Sequence, residues 1–385
     1  MTRRIFCGQF VKACGEWKAP ETIHKERNGF LFKAKALNQR WKQWDEVFFV
    51  NMNYCIKIGL CVLSLSVISA TALAEQVNVY SARIEKLVKP AFDAFERDTG
   101  IKVNLLTGSE AALIERMKAE KQFSPADILL TVDAGNLWKA QNEGLLQPVS
   151  SAMLETNVPA SLRDPAGHWF GLTVRARTIV YSTERVNPAE LSTYEDLGNP
   201  KWRGRLCLRT SKKVYNKSLV ATMIAAIGPV KTEAVLAGWM RNQPIIHDSD
   251  GHLLKGIAKG QCDLGLVNTY YLGRELVKDS NFPVGLFWAN QDDRGAHVNI
   301  SGAGVVKYAL NKANAIKLLE FLSSPAAQNL FADDNMEYPV NASVSPSARL
   351  VAWWGADFKR DQVNVAAAGT LQSDAVKMMA RVGYQ

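Results

Sequence analysis

From Glu75 onward, short apolar runs alternate with longer segments whose apolar residues recur at helical spacing. Val77-Asn78-Val79-Tyr80 predicts a strand, and Leu87, Val88, Ala91, Phe92 and Phe95 predict a helix over about Glu85–Thr99 that Gly100 ends. Lys102–Leu106 is the next predicted strand and Ala111–Glu120 the next helix. Ala126–Thr131 follows as a strand rich in Ile and Leu, and Asp133–Glu143 as a helix stopped by Gly144. The repeated β, α order predicts a parallel sheet wrapped by helices.

Trp169–Arg177 predicts an extended crossing that Thr178–Tyr181 continues as a strand. Strand alternation puts Arg175, Arg177, Ile179 and Tyr181 on one face. Beyond it the pattern predicts a strand at Arg205–Leu208 and helices at Asn216–Ala226, Lys231–Arg241 and Leu253–Lys259. Cys262–Glu275 then combines a buried-strand pattern at Leu264–Val267, cap chemistry at Asn268 and Thr269, and a helix over Leu272–Lys278. Val298–Val306 returns as a strand, and Ala313–Leu322 and Pro325–Asp333 are helical. The crossings near 173–177 and 298–306 divide the mature chain into a hinged two-lobe plan: residues 75–174, a second lobe at 175–300, and a return with C-terminal helices at 301–385.

Tyr270 and Tyr271 sit where strand gives way to helix, the place where open α/β folds present ligands. Two phenols converging there suit a hard, highly charged metal ion that takes anionic oxygen. The alternative is a pair of partly buried aromatics with satisfied hydroxyls.

Charge changes the picture at the start of the chain. The formal net charge is +9, but residues 1–74 hold 11 Lys/Arg against 5 Asp/Glu, which leaves +3 for the remainder. That remainder has no basic block interleaved with aromatics, so nucleic-acid binding lacks support. Residues 52–74 read as a signal peptide: a short charged region through Lys57, an apolar region over Ile58–Ile68, and Ala72-Leu73-Ala74 for cleavage after Ala74. Cys61 follows Leu60, a poor context for lipid attachment. Residues 1–51 then read as upstream sequence from a misplaced start codon, with a genuine cytoplasmic extension as the alternative. A cleaved signal implies the periplasm.

Once residues 1–74 are removed, Cys207 and Cys262 are the cysteines that remain. In an oxidising compartment they are a disulfide candidate, with two buried free thiols as the alternative. His168, His247, His252 and His297 lack metal-type spacing and read as surface or loop histidines.

Several stretches together resemble the periplasmic ferric-iron-binding proteins of bacterial ABC importers. They are Val77–Arg83, Pro125–Asp127 with Thr131–Gly135, Val174–Tyr181, Gly204–Arg209, Asn216–Ala221, Asn268–Gly273, His297–Gly304 and Phe331–Val340. The likeness runs from about residue 76 to 385. It implies an α/β, two-lobe type II periplasmic binding protein fold, each lobe a mixed, mostly parallel sheet flanked by helices, with Fe(III) in the cleft. It also implies iron ligands at Tyr270 and Tyr271, with Tyr181 as a third phenolate. Many relatives carry His-Tyr after the Ser-x-Arg motif, whereas this chain has Ile84-Glu85, so Glu85 is at most a weak carboxylate ligand. A synergistic carbonate or other small anion, or water, is expected to complete the site, the anion at Arg83 and Arg175, whose forks match a planar oxyanion. The implied partners are an inner-membrane permease and its ATPase, with the binding protein itself a monomer.

Two rivals are weighed against that reading. The same fold can hold an organic anion, a polyamine or a thiamine-like cation, since fold does not fix cargo. An enzyme is disfavoured: the chain has no Gly-x-Ser-x-Gly elbow, Walker loop or His-Glu-x-x-His.

Overall fold

The computed structural model describes residues 75–385. The expected upstream extension, signal peptide and cleavage site lie outside the described residues. Among the described residues ten strands form one mixed sheet: β1 Gln76–Ser81, β2 Lys102–Thr107, β3 Ile128–Val132, β4 Phe170–Ser182, β5 Leu206–Arg209, β6 Ile245–His247, β7 Leu264–Asn268, β8 Val284–Phe287, β9 Val298–Val305 and β10 Tyr338–Pro339. The main path runs β2-β1-β3-β9-β4-β7-β5-β6, with β8 and β10 each pairing to β4.

Strand direction depends on how each strand is delivered. β1 pairs in parallel with β2 and β3, and β5 with β6 and β7, because helices carry the chain back between them. The crossing strands run antiparallel: β9 against β3 and β4, and β4 against β7. The sheet is therefore parallel within the βαβ runs and antiparallel where the chain changes sides.

β4 is the shared strand. Phe170–Ala176 pairs with β9, whereas Arg177–Tyr181 pairs with β7 and Ile179–Ser182 with β8. The buried clusters divide at the same place. One gathers Val79, Phe95, Leu129, Phe170, Val174, Ile300 and Leu319. Another gathers Ile179, Trp202, Leu208, Leu219, Trp239 and Leu266. The terminal helix Gln372–Arg381 packs on that second cluster through Met378 and Met379, with Tyr384 just beyond.

Most predicted elements stand within two residues of their observed ends. The informative difference is the helix after β7, which starts at Thr269 rather than Leu272. Tyr270 and Tyr271 thus lie in its first turn. Among the described residues no helix is long and apolar enough to cross a membrane.

Candidate metal centre

Two neighbouring parallel strands each run into a helix, and each helix opens on tyrosine. β5 leads to the helix Val214–Ile227, with Tyr215 at its second position. β7 leads to Thr269–Lys278, with Tyr270 and Tyr271 at the second and third. A helix N-terminus carries positive potential and favours anions. Two such ends, side by side at the carboxyl edge of the sheet, offset part of the cost of forming a phenolate there.

The three tyrosines meet. The Tyr270 and Tyr271 rings are 4.5 Å apart between centroids, tilted by 33°. Tyr215 is near enough to act electrostatically on both Tyr270 and Tyr271, and the Tyr270 hydroxyl accepts from Asn268 Nδ2 at 3.3 Å. Arginines surround the cluster. The Arg209 charge acts on Tyr271, and its guanidinium lies 5.2 Å from the Tyr215 ring centre. Arg175 lies 5.9 Å from that same ring, and Arg274 lies 4.9 Å from the Tyr270 ring.

Burial and charge pull in opposite directions. Tyr270 is 6% exposed. Burial, with Tyr215 and Tyr271 beside it, drives its phenol well above the usual value, and Arg175 opposes the rise. Burial likewise pushes Tyr215 up, again against Arg175. Both groups are therefore phenols until a cation displaces their protons. A trivalent hard cation does so because its own charge replaces the protons in the same low-dielectric space.

One buried arginine aligns the two junctions. Arg177 makes paired contacts with Asp250, Nη1 to Oδ2 at 3.1 Å and Nη2 to Oδ1 at 3.2 Å. Its Nε donates to Asn216 Oδ1 at 2.7 Å, and its Nη1 to Asn268 Oδ1 at 3.3 Å. Asn216 comes directly after Tyr215 and Asn268 precedes Tyr270 by two residues, so Arg177 ties both tyrosine-bearing turns to β4.

The remaining expected residues fall elsewhere. Tyr181 is not brought to the pair, which corrects the expectation from sequence. It faces Leu264 at the start of β7, whereas Asn268 at the end of β7 faces Arg177. Four strand residues, about 13 Å, separate those positions. The Tyr181 ring lies on Gly285, where a Cβ would come within 2.7 Å of Cζ. Glu85 is exposed at the first helical turn, with Lys89 as its charged neighbour. Arg83 is committed inward: its Nη1 reaches Ser301 Oγ at 2.5 Å and Glu337 Oε2 at 2.9 Å. Arg175 shares the same carboxylate at 3.6 Å and donates to the Ile300 carbonyl. Burial alone would raise the Glu337 carboxyl, but Arg83, Arg175 and Thr173 hold it below the usual range.

Three further residues bear on the site or its surroundings. Tyr215 was overlooked because Ser211-Lys212-Lys213 hides the start of its helix. The usable signal was its position: like Tyr270, it opens a helix after a strand. Asp133 is fully buried, its Oδ1 accepting from Ser218 Oγ at 2.8 Å and the Gly135 amide at 2.9 Å. Burial raises its pKa against the pull of Arg175. His297 is buried rather than on the surface, with Nδ1 2.8 Å from Thr222 Oγ1. Burial lowers it to about 3, so it is neutral.

With this geometry in place, comparison with known proteins is decisive. The family model for bacterial extracellular solute-binding proteins matches residues 123–362. The chain belongs to that family. It is 44% identical to iron uptake protein A1 of Synechocystis over 320 residues, covering 81% of this chain and 88% of that one. It is 43% identical to iron uptake protein A2 of the same organism, over 82% and 92% of the two chains. Among solved structures, the Trichodesmium protein IdiA (FutA) in complex with iron and citrate superposes with a TM-score of 0.78 at 45% identity, over 80% of this chain and all of that one. The ferric iron-binding protein A of Mannheimia haemolytica, in an open conformation, gives 0.75 at 38% identity, over 81% and 99%. The mixed sheet with flanking helices is the type II periplasmic binding protein fold of these relatives.

Proposed function

We propose that this solute-binding protein captures Fe(III) through Tyr215, Tyr270 and Tyr271 and hands it to an ABC importer. The convergence of three phenols on two helix N-termini carries the reading. Three phenolates balance the charge of a ferric ion, and hard anionic oxygen is the ligand type that ion prefers. The iron-uptake names of the relatives point the same way.

The finer parts of the proposal rest on position and charge. Arg175 and Arg209 flank the phenols and suit a synergistic anion, carbonate or a chelating carboxylate such as the citrate in the Trichodesmium complex. Arg83 braces Arg175 through Glu337 rather than facing the anion itself. The two cores, divided along β4, act as lobes that close on cargo about the β4 and β9 crossings. Export to the periplasm and delivery to an inner-membrane permease complete the role.

Iron transfer from citrate tests this reading. The Tyr215→Phe protein should bind Fe(III) at least about a hundredfold more weakly than wild type, since a buried site loses one anionic partner. Wild-type binding should weaken on acidification, because each phenolate formed releases a proton. Unchanged affinity in Tyr215→Phe would remove that residue from the site.

A further inference from the structure

A second set of side chains of metal-ligating type lies among β5, β6 and the residues before β7. Cys207 is on β5, Cys262 is two residues before β7, and His247 ends β6. Cys207 and Cys262 are joined by a disulfide with a Cα separation of 5.9 Å. His247 turns its Nε2 toward this bridge, 3.2 Å from Cys207 Sγ. One donor atom from each of the three residues lies within 4.8 Å of the other two. We propose that reduction of this bridge by a dithiol opens a second metal site, at which Cys207, Cys262 and His247 take a thiophilic divalent cation of the zinc class.

Ligand chemistry supports the assignment. Two thiolates and one imidazole are the soft and borderline donors that zinc prefers, with water completing a tetrahedron. Tetrahedral zinc with Zn–S bonds of about 2.3 Å needs its two sulfurs about 3.8 Å apart. The required opening is less than the width of an atom. Surrounding packing favours a ring at this spot: a Cβ on Gly256 would lie 2.9 Å from His247 Nε2 and 3.0 Å from Cε1. Glycine there leaves the imidazole its room.

Access and electron balance are both met. β6 is the end strand of the sheet, and His247 is half-buried while the cysteines are buried. A cation therefore enters from the sheet edge past the imidazole. In the reduction the external dithiol gives up two electrons and two protons and becomes a disulfide, while Cys207 and Cys262 become thiols. Metal binding then releases both thiol protons to water. The phenols of the iron site take no part.

Cobalt titration of the reduced protein tests the site. The protein is reduced with a dithiol without denaturant, freed of reagent under anaerobic conditions, and titrated with Co2+. One equivalent should give thiolate-to-cobalt absorption in the near ultraviolet, which Zn2+ abolishes by displacement. The band should be absent from oxidised protein and from Cys262→Ser, and should persist in a Tyr270→Phe, Tyr271→Phe variant. His247→Gln keeps both sulfurs and should weaken cobalt binding at least about tenfold, since even residues that only support a ligand are worth that much. Two titratable thiols with no such band would overturn the proposal, as would unchanged affinity in His247→Gln. Loss of near-ultraviolet circular dichroism on reduction would also overturn it, because the folded site would not survive its own opening.

Discussion

β7 separates two donor sets of opposite character. Beyond its carboxyl end stand Tyr270 and Tyr271, joined by Tyr215 from the neighbouring junction; before its amino end stands Cys262, bonded to Cys207, which pairs with Gly265, and to that bridge His247 turns its ring from the end of β6. Only about 16 Å of strand lies between. The difference lies in the structure that adjoins each end of the strand. At the carboxyl ends helices begin, and their amide dipoles and the nearby arginines favour hard anionic oxygen. Around the bridge the sulfurs are enclosed by Leu253, Leu254 and Ile257, with the His247 imidazole as a polar neighbour. The same strands thus present hard chemistry at the tyrosine junctions and soft chemistry at the bridge between β5 and the residues before β7.

The sharpest way to break this contrast is to alter one end and read both. Replacing Tyr270 and Tyr271 together by Phe should lower Fe(III) affinity by roughly four orders of magnitude or more, at about 3–5 kcal/mol for each anionic partner lost. Competition against citrate would measure it, and the disulfide should stay intact by mass. Single changes sharpen the assignment: Tyr215→Phe should lose at least about a hundredfold, whereas Tyr181→Phe should keep its affinity within about threefold. The Tyr181 ring packs on Gly285, and losing its hydroxyl costs roughly 1 kcal/mol at most.

At the other end, Cys262→Ser should leave iron affinity within about threefold and lower stability instead. The bridge spans 55 residues, for which loop closure predicts about 4 kcal/mol. A urea titration would read the loss, and an equal fall in iron affinity would show that the two ends are coupled. The smallest expected effect concerns Glu337, which braces Arg175. Its carboxyl is held below its unfolded value, so its contribution is complete above the usual carboxylate range and fades as pH falls through the lowered folded value. Glu337→Gln should flatten that acid limb of the urea midpoint, and an unchanged limb would remove Glu337 from it.

Legibility in the sequence depended on the reach of local pattern. The βαβ runs were readable because each buried strand and amphipathic helix shows its period within a dozen residues. The disulfide was foreseen as a candidate once compartment and cysteine count were combined. Tyr270 and Tyr271 stood out because they are adjacent and come directly after an apolar strand. Tyr215 was missed for the converse reason: four polar or charged positions around 210–213 blur the turn before it. Alternation put Tyr181 on the same face of β4 as Arg177, and that much holds. Alternation cannot express distance along the strand, and that distance carries Tyr181 away from the pair. The inward roles of Arg83, His297 and Asp250 likewise arise from partners more than seventy residues away, as in the bond from Arg83 to Glu337.

The visible spectrum of the ferric protein tests the central claim most directly. Phenolate bound to Fe(III) gives a broad charge-transfer band and a reddish colour, and the band reports ligand identity rather than stability. Recorded on iron-loaded wild type, Tyr215→Phe and Tyr181→Phe, the band should weaken or shift in Tyr215→Phe and match wild type in Tyr181→Phe. A band untouched by Tyr215→Phe but lost in Tyr181→Phe would contradict the account.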